Sequence, residues 1–97
     1  METGFYLVER YLPGASSGDA ATAAEQVEAA TEQMAAEGIS VRYLGSTYIP
    51  ADETCFCEFE AASREPVEWA NERANAPFAR ILPAVRFSAQ RKGRRAR

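Results

Sequence analysis

The side chains of this chain that could do chemistry are two cysteines one residue apart, a carboxylate inside an apolar strand and an asparagine on the inner stripe of a helix. Cys55 and Cys57 stand in Thr54-Cys55-Phe56-Cys57-Glu58-Phe59-Glu60, whose alternation reads as a strand. Strand side chains at i and i+2 point the same way with Cα atoms roughly 6.5–7 Å apart. Bridged cysteines usually keep their Cα atoms about 4.4–6.8 Å apart, so a disulfide here needs a distorted backbone and the thiols are expected to be reduced. Two thiols fall short of a four-cysteine zinc or iron–sulfur site. They read as buried packing, with a ligand role as the alternative.

Glu9 alternates with Phe5, Leu7 and Tyr11 and shares a face with them. A carboxylate there is costly unless paired or ligated. Either the strand twist lets Glu9 reach the sheet edge and an arginine, or Glu9 belongs to a site. Asn71 follows Val67 by four residues and precedes Ala74 by three, which puts it on an inward helical stripe. It either bonds loop backbone or reaches the same site. If the odd face of the first strand meets the helices, Glu9, Cys57 and Asn71 converge in one small polar pocket, the candidate ligand-binding site.

The chain has no histidine, which removes the commonest general base and metal ligand at neutral pH. It has no phosphate-binding loop, nucleophile elbow or HExxH stretch. Catalysis would have to run on carboxylates, cysteine, tyrosine or a bound cofactor, and a protein that is not an enzyme is the expectation. Tyr43 and Tyr48, five apart, are expected on opposite faces and read as packing residues. Trp69 and Arg73, four apart, read as an exposed cation–π pair.

The elements that must position these groups follow from the pattern. Residues 4–12 are aromatic and branched and predict a strand ended by Pro13-Gly14. Ser17 or Asp19 caps a first helix with Ala23, Val27, Ala30 and Met34 inward and Glu25, Glu28 and Glu32 outside, stopped at Gly38. Residues 39–49 predict a second strand with a bulge or close approach at Gly45, and 50–53 a turn. A third strand spans 53–60. Ser63 caps a second helix with Pro66 in its first turn and Val67, Ala70 and Ala74 buried; Ala76-Pro77 ends it. Residues 80–88 predict a fourth strand, at an edge because of Pro83. The order β-α-β-β-α-β is that of the α+β, ferredoxin-like split βαβ fold: a four-stranded antiparallel sheet with both helices on one face. The other face then lacks cover. Tyr6, Val8, Leu12, Leu44, Tyr48 and Phe56 share even positions, but Phe5, Leu7 and Tyr11 are equally apolar, so the phase stays open. Either set is too apolar to stay wet, and a C2 homodimer closing into a dimeric α+β barrel is the expected cover.

The 97 residues amount to one domain, 1–90, with a basic tail, 91–97. Residues 1–90 carry six arginines against fourteen carboxylates, net −8, while the tail carries +5. The acidic body is a poor nucleic-acid surface. The tail reads as a disordered, solubilising terminus, or else as a contact for an acidic partner or nucleic acid. No stretch approaches the ~18 apolar residues that span a bilayer, and no signal peptide opens the chain, so a cytoplasmic location without a membrane is expected.

The segments Tyr6–Gly14, Val41–Thr47, Asp52–Cys57 and Asn71–Ala74 with Pro77-Phe78 resemble the bacterial domain-of-unknown-function 4242 family over about residues 5–87. The resemblance implies small ferredoxin-like dimers. One branch is described as nickel-binding, with histidines in the first strand and in the second helix and its following turn. The matching positions here hold Glu9, Arg10, Asn71 and Ala76, and the third-strand cysteine is kept as Cys57. The resemblance therefore implies a metal site, nickel-type, with Glu9 and Cys57 as the candidate donors. Glutamate and asparagine are weaker nickel ligands than imidazole. The expected function is a small dimeric ligand-binding protein. The alternatives are a cofactor-free enzyme of the dimeric α+β barrel type and an interaction module without ligand.

Overall fold

The structure, a computed structural model, describes residues 3–89. The tail at 91–97 lies outside the described residues. The elements are β1 (Gly4–Tyr11), α1 (Ser17–Ala36), β2 (Val41–Ile49), a 3₁₀ turn (Pro50–Asp52), β3 (Thr54–Ala61), α2 (Arg64–Arg73) and β4 (Arg80–Ala84). The strands form one antiparallel sheet in the order β2-β3-β1-β4. With the two helices this is the ferredoxin-like α+β arrangement. Among the described residues no helix is long and apolar enough to cross a membrane.

The register settles the phase that composition left open. Val8 lies opposite Cys57 and Ile81, and all three are buried on the helix side. Tyr6, Val8, Arg10 and Leu12 therefore face the helices, and Phe5, Leu7, Glu9 and Tyr11 face away. Cys55, Cys57, Phe59 and Ala61 complete the helix side of β3. Val27, Ala30 and Met34 of α1 and Val67 and Ala70 of α2 close the core over them.

The helix ends follow local chemistry. Ser16, one residue before the expected Ser17, is the N-cap of α1: its hydroxyl accepts from the Asp19 amide at 3.1 Å, and the Ser16 amide donates back to the Asp19 carboxylate at 2.9 Å. Asp19 is thus the third residue of a capping box, not the cap itself. Ser63 precedes α2 as expected but makes no side-chain capping bond. The C-terminus of α2 is a Schellman motif: Asn75 takes φ +55°, its amide donates to Glu72 O, and the Ala76 amide donates to Asn71 O. β4 is an edge strand but stops at Ala84 rather than residue 88. Ala84 pairs with Phe5, next to the start of β1 at Gly4, so the partner strand has nearly run out.

Gly45 does break the register of β2, which shifts against β3 between Tyr43 and Gly45. The extra residue advances the side-chain phase by one step. Tyr43 sits opposite Phe59 and Tyr48 opposite Cys55, so both tyrosines face the helices, contrary to the reading from their odd spacing.

Candidate functional site

The most unusual buried group is Arg10. It is 2% exposed, among the largest fully buried side chains. A guanidinium is always charged and offers five donors and no acceptor. Here it meets acceptors from β3 and from α2 with its C-terminal turn. Its Nη1 donates to the carbonyl oxygens of Ala76 and Pro77, both at 2.9 Å. Its Nη2 donates to Asn71 Oδ1 and, at 3.7 Å, to Cys57 Sγ. Asn71, with no exposed surface, is held in turn by donating from Nδ2 to the Val67 carbonyl at 2.8 Å. The Schellman turn that ends α2 aims the Ala76 and Pro77 carbonyls inward. Among the described residues no carboxylate takes part.

A second chain of polar groups meets this one at Cys57. Ser46 Oγ donates to Cys57 Sγ at 3.0 Å, and Tyr43 Oη lies 2.6 Å from Ser46 Oγ. Cys55 Sγ lies 3.9 Å from Cys57 Sγ; both cysteines are buried and free. Burial pushes the Cys55 thiol up to about 11, and neighbouring Cys57 adds to the shift. Burial also raises Tyr43, against the lowering effect of its bond to Ser46. At neutral pH, then, Cys55 stays a thiol and Tyr43 a phenol. Neither is the activated nucleophile or base that covalent catalysis needs.

These groups border a cleft of about 310 Å3 between the N-terminal half of α1 and β2, lined by Ala20, Ala24, Tyr43, Ser46, Tyr48 and Cys55. The small alanines of α1 leave the space, and the bulge brings Tyr43, Ser46 and Tyr48 to the same wall. Tyr48 Oη is tied to the Ala15 carbonyl at 3.0 Å, which fixes one end of that wall. A recess of about 370 Å3 near Gly38, Ile39 and Arg42 is larger but has no such convergence of hydroxyls and thiols.

Of the three candidate site residues, Cys57 and Asn71 come together through Arg10, and Glu9 does not join them. Glu9 is on the opposite sheet face, where its Oε1 accepts from Arg80 Nε of β4 at 2.6 Å and its Oε2 from Tyr11 Oη at 3.3 Å. The odd face of β1 does not meet the helices, so the convergence of all three cannot occur. Glu9 instead makes the arginine pair at the sheet edge. The same face carries Arg42–Glu60 at 2.8 Å and Arg86–Glu58 at 3.9 Å. Arg73 forks onto Glu37, the C-cap of α1, at 2.9 and 3.1 Å, in place of the expected contact with Trp69. Sequence reasoning missed Arg10 as a centre. The available signal was its even position between the buried Val8 and the half-buried Leu12.

The residues present do not fit a nickel ion held jointly by Glu9 and Cys57, because the two side chains lie on opposite faces of the sheet. Among the described residues no three His, Cys, Asp or Glu side chains gather closely enough to hold a metal ion.

Comparison with known proteins agrees with the fold. Residues 6–83 match a family model described as "Nickel responsive protein SCO4226-like". The crystal structure of SCO4226 from Streptomyces coelicolor A3(2) is 26% identical and superposes with a TM-score of 0.68, covering 88% of this chain and 99% of that one. No curated protein sequence matches.

Proposed function

The chain belongs to the SCO4226-like family of nickel responsive proteins, and we propose that it is a homodimeric ligand-binding protein, not an enzyme, whose ligand seat is the cleft between α1 and β2. The observation that carries this reading is the chain Tyr43–Ser46–Cys57, which ends at a cleft of about 310 Å3. That is the low end of the ~300–1,000 Å3 range of small-molecule sites. Its walls are alanine and tyrosine, and no acidic or basic side chain lines it among the described residues. They suit a small, uncharged aromatic or heteroaromatic molecule with one hydrogen-bonding group for Ser46. Cys57 and Asn71 act from behind, by fixing the wall. The test is a thermal-shift screen of phenols and nitrogen heterocycles on wild type and on Ala24→Trp, which fills the cleft. Ligands that raise the melting temperature of wild type alone support the reading; no stabilising ligand, or equal shifts in both proteins, rejects it.

A second reading has the family's description in its favour: a metal such as nickel as the ligand. Native mass spectrometry with elemental analysis separates it from the first, since stoichiometric metal lost in Glu9→Gln or Cys57→Ser would establish it. The cofactor-free enzyme alternative predicts turnover of quinol-type substrates, which the protonated Cys55 and Tyr43 argue against.

The homodimer rests on the open sheet face. Phe5, Leu7, Phe56 and Leu82 are half-buried there without a covering layer, and ion pairs surround them. An apolar centre with a polar rim is the anatomy of an interface. Leu7→Glu should give a monomer in sedimentation. The narrower domain-of-unknown-function 4242 assignment and the cytoplasmic location belong to the same proposal, the latter in keeping with two free thiols. The tail's +5 charge suits an acidic partner or nucleic acid.

A further inference from the structure

We infer that Arg10 is the fixed cation of a cation cage, so that this chain carries its positive charge covalently at the point where Cys57, Asn71 and the Ala76–Pro77 turn converge, and takes up no nickel there. Two stretches distant in sequence direct lone pairs at one small volume: β3 through Cys57 Sγ, and α2 with its following turn through Asn71 Oδ1 and two carbonyls. Backbone carbonyls, an amide oxygen and a sulfur directed at one point form a coordination shell, and the guanidinium occupies its centre. The shell is neutral as far as its oxygens go. Charging energy in a low-dielectric interior grows as the square of the charge, so such a shell holds a delocalised single charge far more cheaply than a divalent one. The fit is also one of shape. Two consecutive carbonyls share Nη1 while Nη2 spans Asn71 and Cys57, a fork that a spherical ion does not need. A divalent ion would have to expel Arg10, and Arg10 is only 2% exposed. In a family described as nickel responsive, this chain leaves no seat for a divalent ion at the cage, whatever fills the cleft beside it.

The experiment combines metal uptake with chemical rescue. Wild type and Cys57→Ser are titrated with nickel alone and read by native mass spectrometry, with both expected to stay metal-free. Arg10→Ala empties the cage, and its melting temperature should fall by roughly 10 °C or more. Millimolar methylguanidinium should recover part of that loss in Arg10→Ala but not in wild type, and urea at the same concentration should recover none. Should Arg10→Ala not fold even with methylguanidinium, Arg10→Lys and Arg10→Met decide the matter. Lysine retaining more stability than methionine supports a required cation; equal or lower stability overturns it. Nickel bound stoichiometrically by wild type and lost in Cys57→Ser overturns the inference, as does a stable Arg10→Ala indifferent to methylguanidinium.

Discussion

Replacing Asn71 by leucine is the sharpest probe of the interior. The substitution keeps the side chain's branching and heavy-atom count and removes its two polar bonds. The Oδ1 bond to Arg10 has a charged donor, and such bonds contribute about 1.5–3 kcal/mol. The Nδ2 bond to the Val67 carbonyl is neutral and contributes about 1 kcal/mol. Leucine recovers part of the total through apolar burial, since position 71 has no exposed surface, which leaves a net loss of about 2–3 kcal/mol. A domain of this size shifts its melting temperature about 4–8 °C per kcal/mol, so the variant should melt about 8–24 °C lower. The decisive assay is a double-mutant cycle in urea with Arg10→Met. Arg10→Met alone orphans three oxygens and should cost at least about 3 kcal/mol. In the double variant neither partner faces an unsatisfied group from the other, so the combined loss should fall short of the sum by about 1–3 kcal/mol. Additivity within about 0.5 kcal/mol would mean that the two side chains act independently, and would refute the account of the cage.

Three further outcomes follow from other parts of the fold. Phe59 is fully buried with its ring 5.6 Å from that of Tyr43, so Phe59→Ala should cost about 3–5 kcal/mol by chemical denaturation. Asn75 holds φ +55°, so Asn75→Gly should be neutral or slightly stabilising while Asn75→Val destabilises by about 1 kcal/mol or more, read from the same urea curves. The Arg73 hydrogen bond, the larger cause, holds the Glu37 carboxyl below its usual 4.5. Because the folded-state value is the depressed one, this contribution is present above the unfolded value and lost as pH falls through the folded one. Wild type should therefore exceed Glu37→Gln in stability at neutral pH and converge with it in acid, and added salt should shrink the gap.

The element order, the inward stripe of α2 and the edge position of β4 were legible because each rests on a local signal: helical spacing, a glycine that ends a helix, a proline. The sheet phase was not. Phe5, Leu7 and Tyr11 are as apolar as Tyr6, Val8 and Leu12, and only pairing with Cys57 and Ile81 decides between them. Once the phase is fixed, Glu9 and Arg10 exchange roles: the carboxylate goes to the open face and the arginine into the core. A buried arginine is hard to foresee because its partners here are two carbonyls, an asparagine and a thiol, and the carbonyl positions depend on a turn 66 residues away. Gly45 reads from the sequence as a bulge or close approach, but its effect on Tyr48 needed the register. The parity rule, applied across the bulge, gave the wrong face.

That glycine works on the strand as an inserted base works on a reading frame. Upstream, Val41 and Tyr43 keep the parity of an unbroken strand; downstream, Ser46 and Tyr48 are read in the shifted one. Pulling the bulge flat with every residue kept would carry the upstream parity on through the strand, turning Ser46 and Tyr48 outward and Thr47 and Ile49 toward α1, with the turn at Pro50–Asp52 left to absorb the slip. The bulge that Gly45 permits at φ +154° thus decides what the neighbouring cleft is made of, and a chain of this architecture that kept every residue but ran flat there would present the opposite set of side chains.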